Sequence, residues 1–258
     1  MKRNAVDLNC DMGENFGLYR VFPDHKIMRY ITSANLACAY HAGDPHVMRE
    51  TVLLAKEHGV AVGAHVGFPD LIGFGRRRME CTPQQVKDYV TYQVGALMGF
   101  CRSAGISLQH VKPHGQMYMM AGEDRVLSEA IVEAILELDE KLILFTHRAF
   151  VTYDVAIEKG LRVINEFYGD RGARDNGVLI FKFDLNDIGG SAEAMARRIA
   201  RMVKENKVVA TGGKEIDLVA ESVCIHSDTP GALDFFEAVH KVLQEEEIEI
   251  TAVRNIVQ

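Results

Sequence analysis

Short apolar, strand-like runs alternate with helical stretches of roughly 10 to 20 residues along most of the chain, and nothing else constrains its fold as strongly. Parallel strands need crossovers of that size, so the alternation specifies repeated β-α units. The helices mark their own ends. Asp44-Pro45 supplies an N-cap and a first helical residue, the apolar series Val47, Met48, Thr51, Val52, Leu54 and Ala55 follows, and Gly59 stops the helix before a strand at Val60-Ala61-Val62. Thr82-Pro83-Gln84-Gln85 can form a capping box, and its helix should run to about Gly105 before residues 109–112 resume as strand. Later helix-strand pairs are expected at 123–138 with 142–146, 149–159 with 161–166, and 191–205 with 208–211, with a last helix starting near Thr229-Pro230. About seven such units without a Gly-rich dinucleotide fingerprint favour one β/α-barrel domain over residues 1–258, with an open flavodoxin-like sheet as the alternative. Residues 171–187 are long and polar, and are expected to form a lid or boundary loop.

Six apolar runs end in acid, base or amide residues: Asp7-Leu8-Asn9-Cys10-Asp11, Ala39-Tyr40-His41-Ala42-Gly43-Asp44, Gly63-Ala64-His65, Val111-Lys112-Pro113-His114-Gly115, Ile164-Asn165-Glu166 and Cys224-Ile225-His226-Ser227-Asp228. Ionisable groups are costly to bury unless paired, so these endings point to one polar pocket at the end of a sheet or barrel. With 29 Lys+Arg against 36 Asp+Glu the formal charge is −7, which disfavours nucleic acid as a partner. No run approaches the roughly 20 apolar residues of a membrane span and no apolar leader precedes Asp7, so a cytoplasmic protein with no membrane partner is expected. Five cysteines without a Cys-x-x-Cys pair indicate reduced thiols, not a disulfide framework or a thiolate zinc site.

Period-two geometry sends Asp7, Asn9 and Asp11 to one face of the first strand, and Leu8 and Cys10 to the other. Two carboxylates with an amide between can hold a metal, orient water or act as a general base. His41, His65, His114 and His226 each follow an apolar stretch beside a glycine or small residue, which lets backbone approach a ligand closely. Four imidazoles at equivalent strand ends suggest a shared site, whereas His25, His46, His58, His110, His147 and His240 lack that context and read as structural or solvent-facing. Lys112 precedes a proline that stiffens the strand tip, and can neutralise a substrate carboxylate or phosphate or pair with Asp7 or Asp11. Between Gly63 and Arg78, the residues Gly73, Gly75, Arg76 and Arg77 suit an anion-binding loop, although the segment lacks the Gly-Lys-Ser/Thr ending of a Walker A loop. Near the C-terminus, Asp228 or Thr229 can cap a helix beside His226, while Glu166 adds an acid and Arg171 a further cation for substrate or phosphate.

Taken in order, Asp7-Leu8-Asn9-Cys10-Asp11-Met12-Gly13-Glu14, Ser33-Ala34-Asn35-Leu36-Ala37-Cys38, His41-Ala42-Gly43-Asp44-Pro45, Gly73-Phe74-Gly75-Arg76-Arg77 and His226-Ser227-Asp228-Thr229-Pro230-Gly231-Ala232 closely resemble the signature blocks of the LamB/YcsF family. The resemblance covers roughly residues 7–115 and 222–232. It implies a seven-stranded β/α barrel similar to carbohydrate deacetylases, and a 5-oxoprolinase activity that opens 5-oxo-L-proline to L-glutamate with ATP hydrolysis, alongside two partner subunits. It leaves open whether ATP binds this chain or is shared with those subunits, whether a divalent metal takes part, and whether the chain forms a homo-oligomer. The chain departs from the family pattern at Phe145-Thr146-His147-Arg148 and between Phe167 and Lys182, so another lactam or cyclic amide is the alternative substrate.

An unstrained lactam is a poor electrophile, and phosphorylating its amide oxygen makes attack by water feasible. On this reading Asp11, with Asp7 or His114, positions and deprotonates water or the ring nitrogen. Lys112 and the arginines hold carboxylate or phosphate, and His226 and Asp228 complete the acid–base set. The first alternative is metal-dependent amide or N-acetyl hydrolysis without ATP, using Asp and His ligands from the same strand ends. The spacing of His41 and His46 speaks against it, because it does not place both on one helix face. A non-catalytic protein of the complex, binding substrate or docking a partner enzyme, is the second alternative.

Overall fold

The computed structural model describes residues 4–257. The elements in chain order are β1 (Ala5–Met12), α1 (Asp24–Ile27), β2 (Ser33–Ala37), α2 (Pro45–His58), β3 (Ala61–Val66), α3 (Pro83–Ala104), β4 (Leu108–Pro113), α4 (Gly115–Glu123), α5 (Arg125–Leu138), β5 (Ile143–Thr146), α6 (Val151–Lys159), β6 (Arg162–Tyr168), α7 (Ala192–Glu205), β7 (Lys207–Val209), β8 (Glu215–Asp217), β9 (Ser222–Cys224), α8 (Ala232–Glu245) and β10 (Glu249–Ile250). The strand order is β10-β1-β2-β3-β4-β5-β6-β9, and β1 also pairs with β9. The order closes into the seven-stranded β/α barrel that the alternation predicts, with β10 pairing in parallel with Ala5 and Val6.

The helix ends follow from capping chemistry. The Asp44 carboxylate accepts the backbone N–H groups of His46 and Val47, and Gly59 ends α2 in the left-handed region at φ +68°. Thr82 and Gln85 complete their capping box at the start of α3. The helix expected over residues 123–138 forms as α5, and a further helix, α4, precedes it. Asp124 leaves the helical conformation after α4, and its carboxylate accepts from Val126 and Leu127 to start α5. His114 precedes α4 without a side-chain cap bond, so no residue signal announces that helix. The strand expected at 208–211 is β7, which pairs antiparallel with β8 outside the barrel. Gly212-Gly213, with Gly213 at φ +84°, turns the chain back so tightly that local pairing wins over a crossover. Residues 171–187 hold an isolated bridge between Ala173 and Leu179 and a 3-10 turn at Leu185–Ile188.

The chain divides into two compact units. The first comprises residues 4–10, His25–Ser33 and the chain from Asn165 onward. In it β9 pairs in parallel with β1, Asp7 opposite Ser222, and with β6, Glu166 opposite Ser222. Helix α7 packs on α8, and Leu8, Phe167, Val223, Ile199 and Phe236 are buried. The second comprises Asp11–Asp24 and Ala34–Ile164. There β3 and β4 pair in parallel with His65 opposite Lys112, α3 packs on α5, and Leu36, Val90, Leu97, Ile131 and Leu144 are buried. No helix of the described residues is long and apolar enough to cross a membrane. All five cysteines are free thiols.

Candidate active site

In the second unit β1, β3 and β4 bring Asp11, His65 and Lys112 together. Lys112 is 1% exposed, and its Nζ donates to Asp11 Oδ1 at 3.1 Å. Each charge would be costly to bury alone; the pair offsets the cost. The other Asp11 oxygen lies 3.3 Å from His65 Nε2. Asn35 on β2 ties Asp11 to His110 on β4: its Nδ2 donates to Asp11 Oδ1 at 2.9 Å, and its Oδ1 accepts from His110 Nε2 at 2.7 Å. His110 Nδ1 in turn accepts from Gln109 at 3.1 Å, and the ring stacks on Phe145 with centroids 4.0 Å apart. Burial, with Lys112 nearby, holds the His110 pKa down to about 3, so its ring is neutral at physiological pH.

Three more groups adjoin Asp11's partner His65. His114 Nδ1 lies 2.9 Å from His65 Nε2, His41 stacks on His114 with centroids 3.7 Å apart, and Glu14 Oε1 lies 3.3 Å from His41 Nε2. Burial and the neighbouring imidazoles push the pKa values of His41 and His114 well below the usual range. The adjacent glycines serve differently from the sequence expectation. A Cβ on Gly67 would sit 2.7 Å from His41 Nδ1, and one on Gly75 would sit 2.7 Å from His41 Cβ and 2.8 Å from His114 Cδ2. They make room for the imidazoles themselves.

The loop arginines are already engaged. Arg77 pairs with the buried Asp70, which also accepts the Gly73 amide at 2.9 Å, and the Arg76 guanidinium lies 5.0 Å from the Phe74 ring centroid. Among the candidates in this unit, Asp11, His41, His65, Lys112 and His114 therefore form one cluster with Gly75 packed against it, whereas Gly73 and Arg77 belong to the Asp70 turn.

The first unit holds two further groupings. Asp7 is fully buried and accepts from Thr32 at 2.8 Å, from Ser33 at 2.6 Å and from Ser222, whose hydroxyl also accepts from Asn9 Nδ2 at 2.7 Å. Glu166 is buried on β6 nearby. Burial pushes the Asp7 pKa from 3.8 up to about 6, against the pull of these hydroxyls. Because the folded value lies above the unfolded one, the stabilising contribution is full below about pH 4 and is lost as pH rises through about 6. Asp7→Asn cannot ionise, so urea unfolding should show it gaining on the wild type by on the order of 3 kcal/mol between pH 4 and pH 7. A difference constant across that window would refute the buried-carboxylate account.

The second grouping centres on Asp170. Its carboxylate accepts from Thr229 Oγ1 at 2.6 Å and pairs with Arg171 at 2.7 Å and His226 Nδ1 at 3.0 Å. Arg171 also lies 3.9 Å from Asp228. Burial raises the Asp170 pKa, but His226, Arg171 and Thr229 outweigh it and hold the group at about 2. Sequence reasoning missed Glu14, Asn35 and Asp170 as site residues. Asn35 carried a usable signal, since Ser33 and Asn35 break an apolar strand at period two as Asp7 and Asn9 do.

The sequence profile of the LamB/YcsF family matches residues 6–258. The chain is 46% identical over 251 residues to a Clostridium beijerinckii protein named as a 5-oxoprolinase subunit, covering 97% of this chain and 98% of that one. The solved structure of a lactam utilization protein from Thermus thermophilus has a TM-score of 0.90 at 42% identity, covering 96% of this chain and 99% of that chain. A T48 deacetylase at 10% identity, with a TM-score of 0.50 over 98% of this chain and 90% of its own, shares the fold alone.

Proposed function

The chain belongs to the LamB/YcsF family, and on that premise we propose that it is one subunit of an ATP-hydrolysing 5-oxoprolinase that converts 5-oxo-L-proline to L-glutamate. The observation that carries this reading is the 46% identity along 97% of the chain to a relative named for that enzyme. The buried Asp11–Lys112 pair beside His65 supports it chemically. Asp11 is the general base for the attacking water, and Lys112 positions it and balances its charge. ATP supplies the activation of the lactam oxygen. Two partner subunits share its handling, a division supported by the relative's being named as one subunit of that enzyme. Dependence on ATP makes the cytoplasm its compartment.

The test is glutamate release from 5-oxoproline and ATP, with and without the candidate partner subunits. Asp11→Asn should lower the rate by about 10³-fold in the complete mixture, with folding checked by circular dichroism. Absence of glutamate formation by the complete wild-type mixture would overturn the activity. An undiminished rate when this chain is omitted would give it a binding or docking role instead.

A further inference from the structure

We propose that Glu14, His41, His65 and His114 form a nitrogen-rich divalent-cation site of the zinc type. Their donor atoms all lie within 4.8 Å of one another, and the four residues are 7%, 0%, 1% and 4% exposed. A tetrahedral ion with bonds of about 2.1 Å has donor-to-donor edges of roughly 3.4 Å. The distances here bracket that value: 2.9 Å from His65 Nε2 to His114 Nδ1, 3.3 Å from His41 Nε2 to Glu14 Oε1, and 3.8 Å from His114 Nδ1 to Glu14 Oε1.

The outer hydrogen bonds select the tautomers. His65 Nδ1 faces the Lys112 carbonyl at 3.0 Å, and His114 Nε2 faces the Phe74 carbonyl at 2.8 Å. A carbonyl only accepts, so each of these nitrogens carries a proton, and two neutral rings then turn lone pairs toward each other at 2.9 Å. Two lone pairs at that separation repel unless a proton or a metal cation lies between them, and a metal also draws in His41 and Glu14. The same outer pattern orients metal-binding histidines generally.

The site is also built by subtraction: Gly67 and Gly75 vacate the space that His41 and His114 fill. Three imidazoles and one carboxylate suit Zn²⁺ or Co²⁺, whereas Mg²⁺ and Ca²⁺ favour oxygen donors. Asp11 Oδ2, 3.3 Å from His65 Nε2, places the general base beside the ion, which would supply Lewis-acid chemistry there.

The test needs neither 5-oxoproline, ATP nor partner subunits, so it stands or falls separately from the oxoprolinase reading. Chelator-treated full-length protein is titrated with ZnCl₂, and bound metal is counted by mass spectrometry after gel filtration. The Co²⁺ form is examined for visible d–d absorption. One ion per chain and a four-coordinate cobalt spectrum are expected. Glu14→Gln, close to isosteric, and His41→Ala should each weaken Zn²⁺ binding by roughly 100-fold or more, while His46→Ala, on the exposed face of α2, should leave it unchanged. Substoichiometric wild-type binding, or equal binding by folded Glu14→Gln, would overturn the site.

Discussion

Lys112→Met is expected to lower the free energy of unfolding by about 3–5 kcal/mol and to abolish glutamate formation. The substitution keeps the length and apolar bulk of the side chain but removes the Nζ that donates to Asp11 at 3.1 Å, stranding a carboxylate in a site where Lys112 itself is 1% exposed. Urea denaturation and the coupled glutamate assay read the two effects. Removing both charges, in Asp11→Leu/Lys112→Met, should recover most of the lost stability while activity stays absent, because a matched apolar pair no longer leaves an uncompensated charge. A single Lys112→Met variant within about 1 kcal/mol of the wild type would show that the pair is not the element that makes burial of Asp11 tolerable.

Gly63→Ala should cost about 3 kcal/mol and roughly 10²-fold in activity, although residue 63 touches no proposed reacting group. A Cβ at this position would overlap the edge of the His110 ring. The ring has little room to retreat, because it stacks on Phe145 and its Nε2 is held by Asn35 at 2.7 Å. Displacing His110 moves Asn35, and with it the amide that holds Asp11 Oδ1 at 2.9 Å. The coupling is checked by non-additivity. In a His110→Ala background the added methyl enters vacated space, so the double variant should be more stable than the sum of the single costs predicts. Additive costs would mean that Gly63 and His110 do not compete for the same volume.

The candidate site was legible where residue type and strand position coincide. Asp11, His41, His65, Lys112 and His114 stand out as polar groups at or just beyond apolar runs, and the structure gathers all five in one unit. His110 lacks that context in the sequence, and it serves as a neutral support that holds Asn35. Glu14 follows Gly13 in the irregular stretch after β1 and carries no periodic signal, so only its 3.3 Å approach to His41 reveals it. The glycines beside the histidines were legible as special positions but not by function. A sequence shows that a side chain is missing, while only packing shows which neighbour takes its place.

The chain's own order of residues determined its helix boundaries and the alternation that closes a β/α barrel, because caps, left-handed glycines and side-chain periodicity act over a few neighbouring residues. Tertiary structure alone decided that Asp11 pairs with Lys112, 101 positions away, that His65 and His114 face each other, and that Arg77 turns to Asp70. Those partnerships depend on which strands become neighbours and in what register, and on where a missing Cβ opens space. Such long-range geometry has no local signature in the order of the residues.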